Sequence, residues 1–279
     1  MNKRENVYHP WLFYIIVFIF TWAFWISGIF VSNTNVAMIL IFLGLCVPSI
    51  TAVITVFSSK NKALINDFKR KTFRFYQIKP FTLGFAIIVF GTVIAISILL
   101  STLFGQSLSQ FSFVNDFSFS IKGSSALLTI LFASIIEEVG WRGYGEDAIA
   151  QYCTWFKESI IFGFIWSAWH VPLFFIEGTY HAGLAELGAG FVLNFLISVI
   201  PLGFISTWVY VKNNRSMLAC IIFHLFVNFF QEKIAMSPQT KCVQTFVLIA
   251  VATILVMTNK ELFFEKRHIG AFPETFEYN

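Results

Sequence analysis

Charge is what this 279-residue chain has least of: Asp, Glu, Lys and Arg together make up 12% of it, against about 25% in an ordinary soluble domain. So few charges cannot cover the surface of a water-soluble fold of this size. A nucleic-acid partner is excluded as well, because the net charge is only +4 and the basic residues sit in short segments between apolar runs. Cysteine is scarce too. Cys46, Cys153, Cys220 and Cys242 show no CxxC spacing, and three of them lie in or beside apolar runs, so buried free thiols are expected in place of disulfides or metal ligands. There is no HExxH motif, internal repeat, long polar domain or low-complexity tail. What fills the chain is hydrocarbon: it is 57% hydrophobic with 36 phenylalanines, and its apolar stretches run well past the roughly 18 residues that mark a membrane span.

The fold class that follows is an all-α membrane protein, a bundle of about eight transmembrane helices forming a single polytopic domain over residues 1–279. Spans are expected near residues 11–32, 36–58, 83–105, 125–144, 158–176, 187–211, 216–230 and 242–259. The seventh is the shortest, so seven crossings are the alternative. The run after Lys3 and Arg4 is too long for a signal-peptide core and lacks a small-x-small cleavage site, so it reads as a retained first span. Placing both termini in the cytoplasm puts 15 Lys and Arg inside and leaves Lys122, Lys233 and Lys241 outside, with Arg142 set aside as intramembrane; this is the positive-inside pattern. Residues 60–81 alternate Leu64, Ile65, Phe68, Phe73 and Phe75 with Lys and Arg, which suits an amphipathic helix in the headgroup layer in contact with membrane lipid. On the opposite side, Phe111, Phe113, Phe117 and Phe119 among serines read as an interfacial cap.

Against this apolar background, Ser134–Tyr144 reads S-I-I-E-E-V-G-W-R-G-Y. Charges at such depth are costly, and spans that keep them use them for chemistry or transport. Glu138 and Arg142 are four apart and share a helical face, while Glu137 points elsewhere, so the two glutamates can hold different roles. The fifth span ends F-I-W-S-A-W-H-V-P, with Pro172 expected to kink or open the helix just after His170. The seventh carries His224 and Asn228 on one face. Measured by helical rise from Tyr144, Lys157 and Arg215, Glu137 lies about 11 Å deep, His170 about 20 Å and His224 about 14 Å. All can meet in one intramembrane polar cavity. There, Glu137 and His170 would activate water, His224 and Asn228 would hydrogen-bond an oxyanion, and Glu138 with Arg142 would form a supporting pair.

Together E-E-x-x-x-R (Glu137, Glu138, Arg142), an aromatic-x-x-x-H (Trp166, His170) and H-x-x-x-N (His224, Asn228) resemble the CPBP/ABI group of intramembrane proteases, which includes the type II CAAX prenyl endopeptidases. The resemblance covers residues 125–230; Trp166 stands where that group often has Phe. It implies the same assignment of roles and a prenylated CaaX-type protein or peptide as substrate, cleaved after the prenylated cysteine to release a C-terminal tripeptide.

Other readings compete. Glu137, His170 and His224 would also supply the carboxylate and two imidazoles that a catalytic zinc accepts; lacking HExxH and drawing its histidines from separate helices, the site is expected to work without a metal or other cofactor. A non-enzymatic membrane protein is the other class. A proton-coupled carrier would use Glu137 and His170 as a relay, but no paired repeat with broken helices is present; an immunity factor against a bacteriocin is what some members of the resembling group suggest. Asn194 is expected to make an interhelical hydrogen bond, and His9, His181 and His268 carry no signal.

Overall fold

The structure, a computed structural model, describes residues 8–114 and 126–265; Lys122, Phe117, Phe119 and His268 lie outside them. Every regular element in this part is helical: α1 Pro10–Ile29, α2 Thr34–Ser58, α3 Lys62–Phe73, α4 Pro80–Ser101, α5 Ala126–Gly140, α6 Glu146–Ala150, α7 Trp155–Trp169, α8 Tyr180–Leu187, α9 Ala189–Lys212, α10 Met217–Lys233, α11 Pro238–Thr258 and α12 Lys260–Phe264. A π-helical turn, Trp141–Gly145, joins α5 to α6, and a 3-10 turn, Val171–Phe175, follows α7. The protein is an integral, multi-pass membrane protein.

A helix stands at each of the eight expected positions, yet among the described residues only six are long and apolar enough to span a membrane: α1, α2, α4, α7 with its 3-10 extension, α9 and α11. The two that fall short, α5 with 15 residues and α10 with 17, are those carrying Glu137, Glu138, His224 and Asn228. Length and composition therefore support six spans, and the expected eight is not secured. The outer faces of α1 and α4 expose Trp11, Ile15, Ile19, Phe81, Phe85 and Ile88, the pattern of helices whose solvent is hydrocarbon.

Two apolar cores hold the bundle. One gathers side chains of α4, α9, α10 and α11 around Phe90, Ile98, Val209 and Phe223; the other gathers α1, α2, α3, α7 and the π turn around Val17, Trp25, Trp141 and Trp169. Proline and glycine set the closest approach. Pro48, inside α2, lies so near α5 that a Cβ on Gly140 would sit 2.5 Å from the proline Cβ. Pro48 has no N–H for the carbonyl of Gly44, and the Thr21 hydroxyl donates to that oxygen instead (3.1 Å).

The basic segment forms an amphipathic helix, α3, but its polar face is not simply solvated. Asp67 and Lys71 are as buried as Leu64. The Lys71 ammonium donates to Asp147 Oδ2 (2.6 Å) and to the carbonyls of Arg142 (3.1 Å) and Gly143 (2.8 Å), and the Tyr210 hydroxyl donates to the same Arg142 oxygen (3.1 Å). A π turn leaves carbonyls without their usual partners; Lys71 and Tyr210 supply two of them. Arg215 closes the network onto both Asp67 and Asp147. Burial opposes ionisation of Asp67, but Arg215, Lys71 and Arg70 hold its carboxyl well below the usual carboxylate range. Its stabilising contribution is therefore complete above about pH 4 and is lost on acidification.

The cysteines are free, as expected; Cys220 is buried, whereas Cys46, Cys153 and Cys242 are only half-buried. Beyond α4, Phe111 and Phe113 are exposed, and the segment is pinned to the α10–α11 connection by Val114 N–H to Lys233 O (2.9 Å) and Ala235 N–H to Ser112 O (3.0 Å).

Lys71→Met should lower stability by about 1–3 kcal/mol, because Asp147 and the Gly143 carbonyl each lose a buried charge-assisted hydrogen bond while Arg215 still pairs Asp147 and Tyr210 still reaches Arg142 O. Thermal unfolding in detergent checks this, with Lys69→Met, on the same helix and away from the network, expected to change it little.

Candidate active site

One cavity of about 220 Å³ lies where the two cores meet, and Glu137, His170, His224 and Asn228 all line it. Its wall draws on α5 (Ile130, Ala133), α9 (Asn194, Phe195, Ser198), α10 and α11, and on Trp25, Ile41 and Leu45 from α1 and α2. It reaches the bundle end where α10 finishes (Gln231, Glu232) and α11 begins (Pro238, Lys241). That is the end opposite α3, which pairs with Arg215 just before α10 starts.

Glu137 is nearly buried, 7% exposed. Its Oε2 accepts hydrogen bonds from the indole N–H of Trp166 (3.0 Å) and of Trp141 (3.4 Å), while Oε1 has no protein partner among the described residues. One oxygen is thus anchored and the other left for water. His170 occupies the residue after α7, where Pro172 opens the helix into the 3-10 turn as its chemistry requires. Its Nδ1 lies 2.7 Å from the Trp166 carbonyl. A carbonyl only accepts, so Nδ1 carries the proton and Nε2 holds the lone pair. The adjacent Trp169 donates its indole N–H to Thr21 Oγ1 (3.2 Å), linking the end of α7 to the hydroxyl that satisfies Gly44.

Glu138 faces away from the cavity wall, as its position beside Glu137 predicts. Its Oε1 accepts from Arg142 (2.9 Å) and also from His224 Nδ1 (2.8 Å). The expected pair is therefore a trio, and it ties α5 to α10. Arg142 is completely buried; it also faces Glu146 (3.1 Å) and lies over the rings of Phe162 (5.0 Å) and Trp166 (5.7 Å). Thr207 bridges Glu146 (3.4 Å) and Glu158 (3.3 Å) behind it. Asn194 makes the expected interhelical contact, its amide donating to Lys241 O (3.4 Å).

Three features escape sequence reasoning. Glu146 extends the series Glu138, Arg142, Glu146 at intervals of four, a signal that was visible but lies past the expected end of the span. The indoles of Trp141 and Trp166, to which the sequence assigned no hydrogen bond, hold the key carboxylate. His181, placed outside the spans and set aside, is buried in the cavity wall, its ring 5.5 Å from that of His170, with both nitrogens unpartnered among the described residues. It arrives there through α8, a short helix no hydropathy pattern announces. Among the described residues, no group of three His, Cys, Asp or Glu side chains is placed to hold a metal ion.

Residues 122–230, the segment that builds most of this site, match the family model described as type II CAAX prenyl endopeptidase Rce1-like. CAAX prenyl protease 2 of Methanococcus maripaludis is 37% identical over 263 residues, which cover 93% of this chain and 97% of that relative. The chain belongs to the type II CAAX prenyl endopeptidase family. As a member it is a membrane-embedded peptide hydrolase. Its 93% coverage also takes in the α1, α2 and α3 scaffold, so membership extends beyond the three motifs.

Trp166→Phe keeps the ring and deletes the 3.0 Å hydrogen bond to Glu137. With one charge-assisted bond lost, kcat in a peptide-cleavage assay should fall about 10-fold or more, with KM changing little.

Proposed function

We propose that the protein hydrolyses the peptide bond after a prenylated cysteine, releasing the C-terminal tripeptide of a CaaX-type protein or peptide. The convergence of Glu137, His170, His224 and Asn228 on one intramembrane cavity carries this reading. Water held by Glu137 Oε1 attacks the carbonyl carbon and gives its proton to Glu137 or to His170 Nε2, the free base. The same group then passes the proton to the departing amide nitrogen as the C–N bond breaks. Asn228 and His224 donate to the oxygen that becomes negative. His224 already gives Nδ1–H to Glu138, so to donate from Nε2 as well its ring must be an imidazolium, and Glu138 is the counter-charge within reach. Arg142 holds Glu138 in place. The apolar wall of Ile41, Leu45 and Ile130 suits a prenyl chain, and lipid would surround the exposed helix faces; nothing in the basic segments suits nucleic acid.

Activation of water by side chains alone is the reading the donor geometry supports: Glu137 Oε2 is taken by two indoles, His170 Nδ1 by a carbonyl and His224 Nδ1 by Glu138. A zinc ion would have to be held by Glu137 Oε1 and the two Nε2 atoms, and would polarise the water in their place. Glu137→Gln should reduce cleavage of a farnesylated CaaX peptide at least 1000-fold while the thermal transition persists. Full turnover by Glu137→Gln sinks the assignment, and activity lost on chelation and regained with zinc replaces the metal-free mechanism by the zinc one.

Cytoplasmic termini remain the orientation favoured by the Lys and Arg distribution. Under it, the Lys241 end of the cavity faces away from the cytoplasm. The opposite orientation would put that end on the side where a cytosolic prenylated substrate resides, and the position of the cavity is the observation that favours it. In a cysteine-free background, Leu187→Cys at the α8 end should react with a membrane-impermeant maleimide in intact cells and Tyr76→Cys, beyond α3, only after permeabilisation. The reverse labelling turns the molecule over.

A further inference from the structure

Among the described residues, Lys241 is the only Lys or Arg in the wall of the cavity; the other charged wall residues are Glu137 and Glu232. It forms no ion pair among the described residues. Its ammonium donates to the Tyr180 hydroxyl (3.1 Å) and lies 4.6 Å from the centre of that ring, which positions the charge without neutralising it. One turn further along the same face of α11 stands Gln244, 97% buried at 3% exposure. Its carbonyl oxygen accepts from Gln231 Nε2 (3.1 Å), and its own NH₂ group has no partner among the described residues. A buried amide donor left unmade is costly, and beside it Lys241, half-buried, offers a cation whose charge no carboxylate among the described residues pairs. The two occur together, at one end of one cavity, beside the first turn of a 21-residue helix whose amino-terminal dipole also favours negative charge.

We propose that this end of the cavity is a carboxylate subsite: Lys241 and the Gln244 amide bind the free C-terminal carboxylate of the peptide being cut. The proposal rests on the hydrolase reading and adds to it the feature that measures the length of the leaving peptide. His224 and Gln231 are seven residues apart on α10, about 10 Å along its axis. Three extended residues span at most about 10–11 Å. With the scissile carbonyl at His224, the carboxylate of a departing tripeptide arrives at the level of Gln231, the residue that holds Gln244 in place. A shorter tail falls short of the ammonium, and a longer one overruns it.

The test compares a farnesylated CaaX peptide ending in a free acid with the same peptide ending in a carboxamide. The wild type should cleave the acid at least 10-fold better in kcat/KM. Lys241→Met should bring the acid-to-amide ratio close to one, and Lys241→Arg should restore most of it, a rescue that a purely structural role for Lys241 would not tie to the substrate's charge. Wild-type indifference to the amide, or a preference that survives Lys241→Met, overturns the proposal and leaves Lys241 as an anchor for Tyr180. Should Lys241→Met not fold, Gln244→Leu probes the same subsite and should lower the ratio several-fold.

Binding separates this proposal from the hydrolysis it builds on. The tripeptide acid alone should raise the thermal transition of the wild type, and the tripeptide amide should need at least 10-fold more to do so. Lys241-dependent binding of the acid without any peptide cleavage keeps the subsite and discards the hydrolase. Cleavage without discrimination between acid and amide does the reverse.

Discussion

The arrangement depends on one oxygen atom. Glu138 Oε1 accepts from Arg142 on its own helix and from His224 on another, and thereby decides how α5 and α10 lie against each other at the depth of the cavity. An ionised carboxylate cannot be left bare in this interior, and neither can a guanidinium with no exposure to solvent. Each is tolerable only while the other holds its place. The polar site is therefore assembled by the high cost of coming apart, an arrangement in which specificity of geometry matters more than net stabilisation. Glu137, one residue away and rotated out of this contact, inherits a fixed backbone without sharing its charge.

A second layer keeps that backbone in an unusual shape. The π turn at Trp141–Gly145 changes the phase of the helix between Glu138 and Asp147, so that Arg142 meets Glu138 and Glu146 while Asp147 meets the cations from α3 and from the loop before α10. Such a turn persists because Lys71 and Tyr210 take up carbonyls that a regular helix would have used. The amphipathic helix between α2 and α4 is thus more than a membrane-surface element: one cation on its inner face holds the end of the charged motif.

Much of this was legible in the residues alone. Spacing put Glu138 with Arg142 and His224 with Asn228; Pro172 marked the end of a helix at His170; and helical rise placed three polar groups at similar depths. What could not be read depends on tertiary placement. Whether Lys71 faces solvent or a π turn is not written in the pattern of α3, since Lys and Arg occupy both of its polar edges. His181 follows a Gly-containing turn, and only the fold returns α8 to the cavity. Tryptophans give the same apolar signal whether they pack or donate, so the indole bonds to Glu137 were invisible. The span count suffered for a related reason: the helices that carry the chemistry are the ones whose polarity and shortness weaken the membrane signal.

Pro48 carries a consequence well beyond its own helix. Because it cannot donate, Gly44 borrows the Thr21 hydroxyl, and Thr21 in turn receives the indole of Trp169, the neighbour of His170. A gap in the backbone ladder of α2 has thereby become a hinge pin for three helices, and the imidazole at the end of α7 stands at the far end of that chain. Sequence drift at position 48 would be constrained by the aim of a ring two helices away, although the proline itself touches no reacting atom.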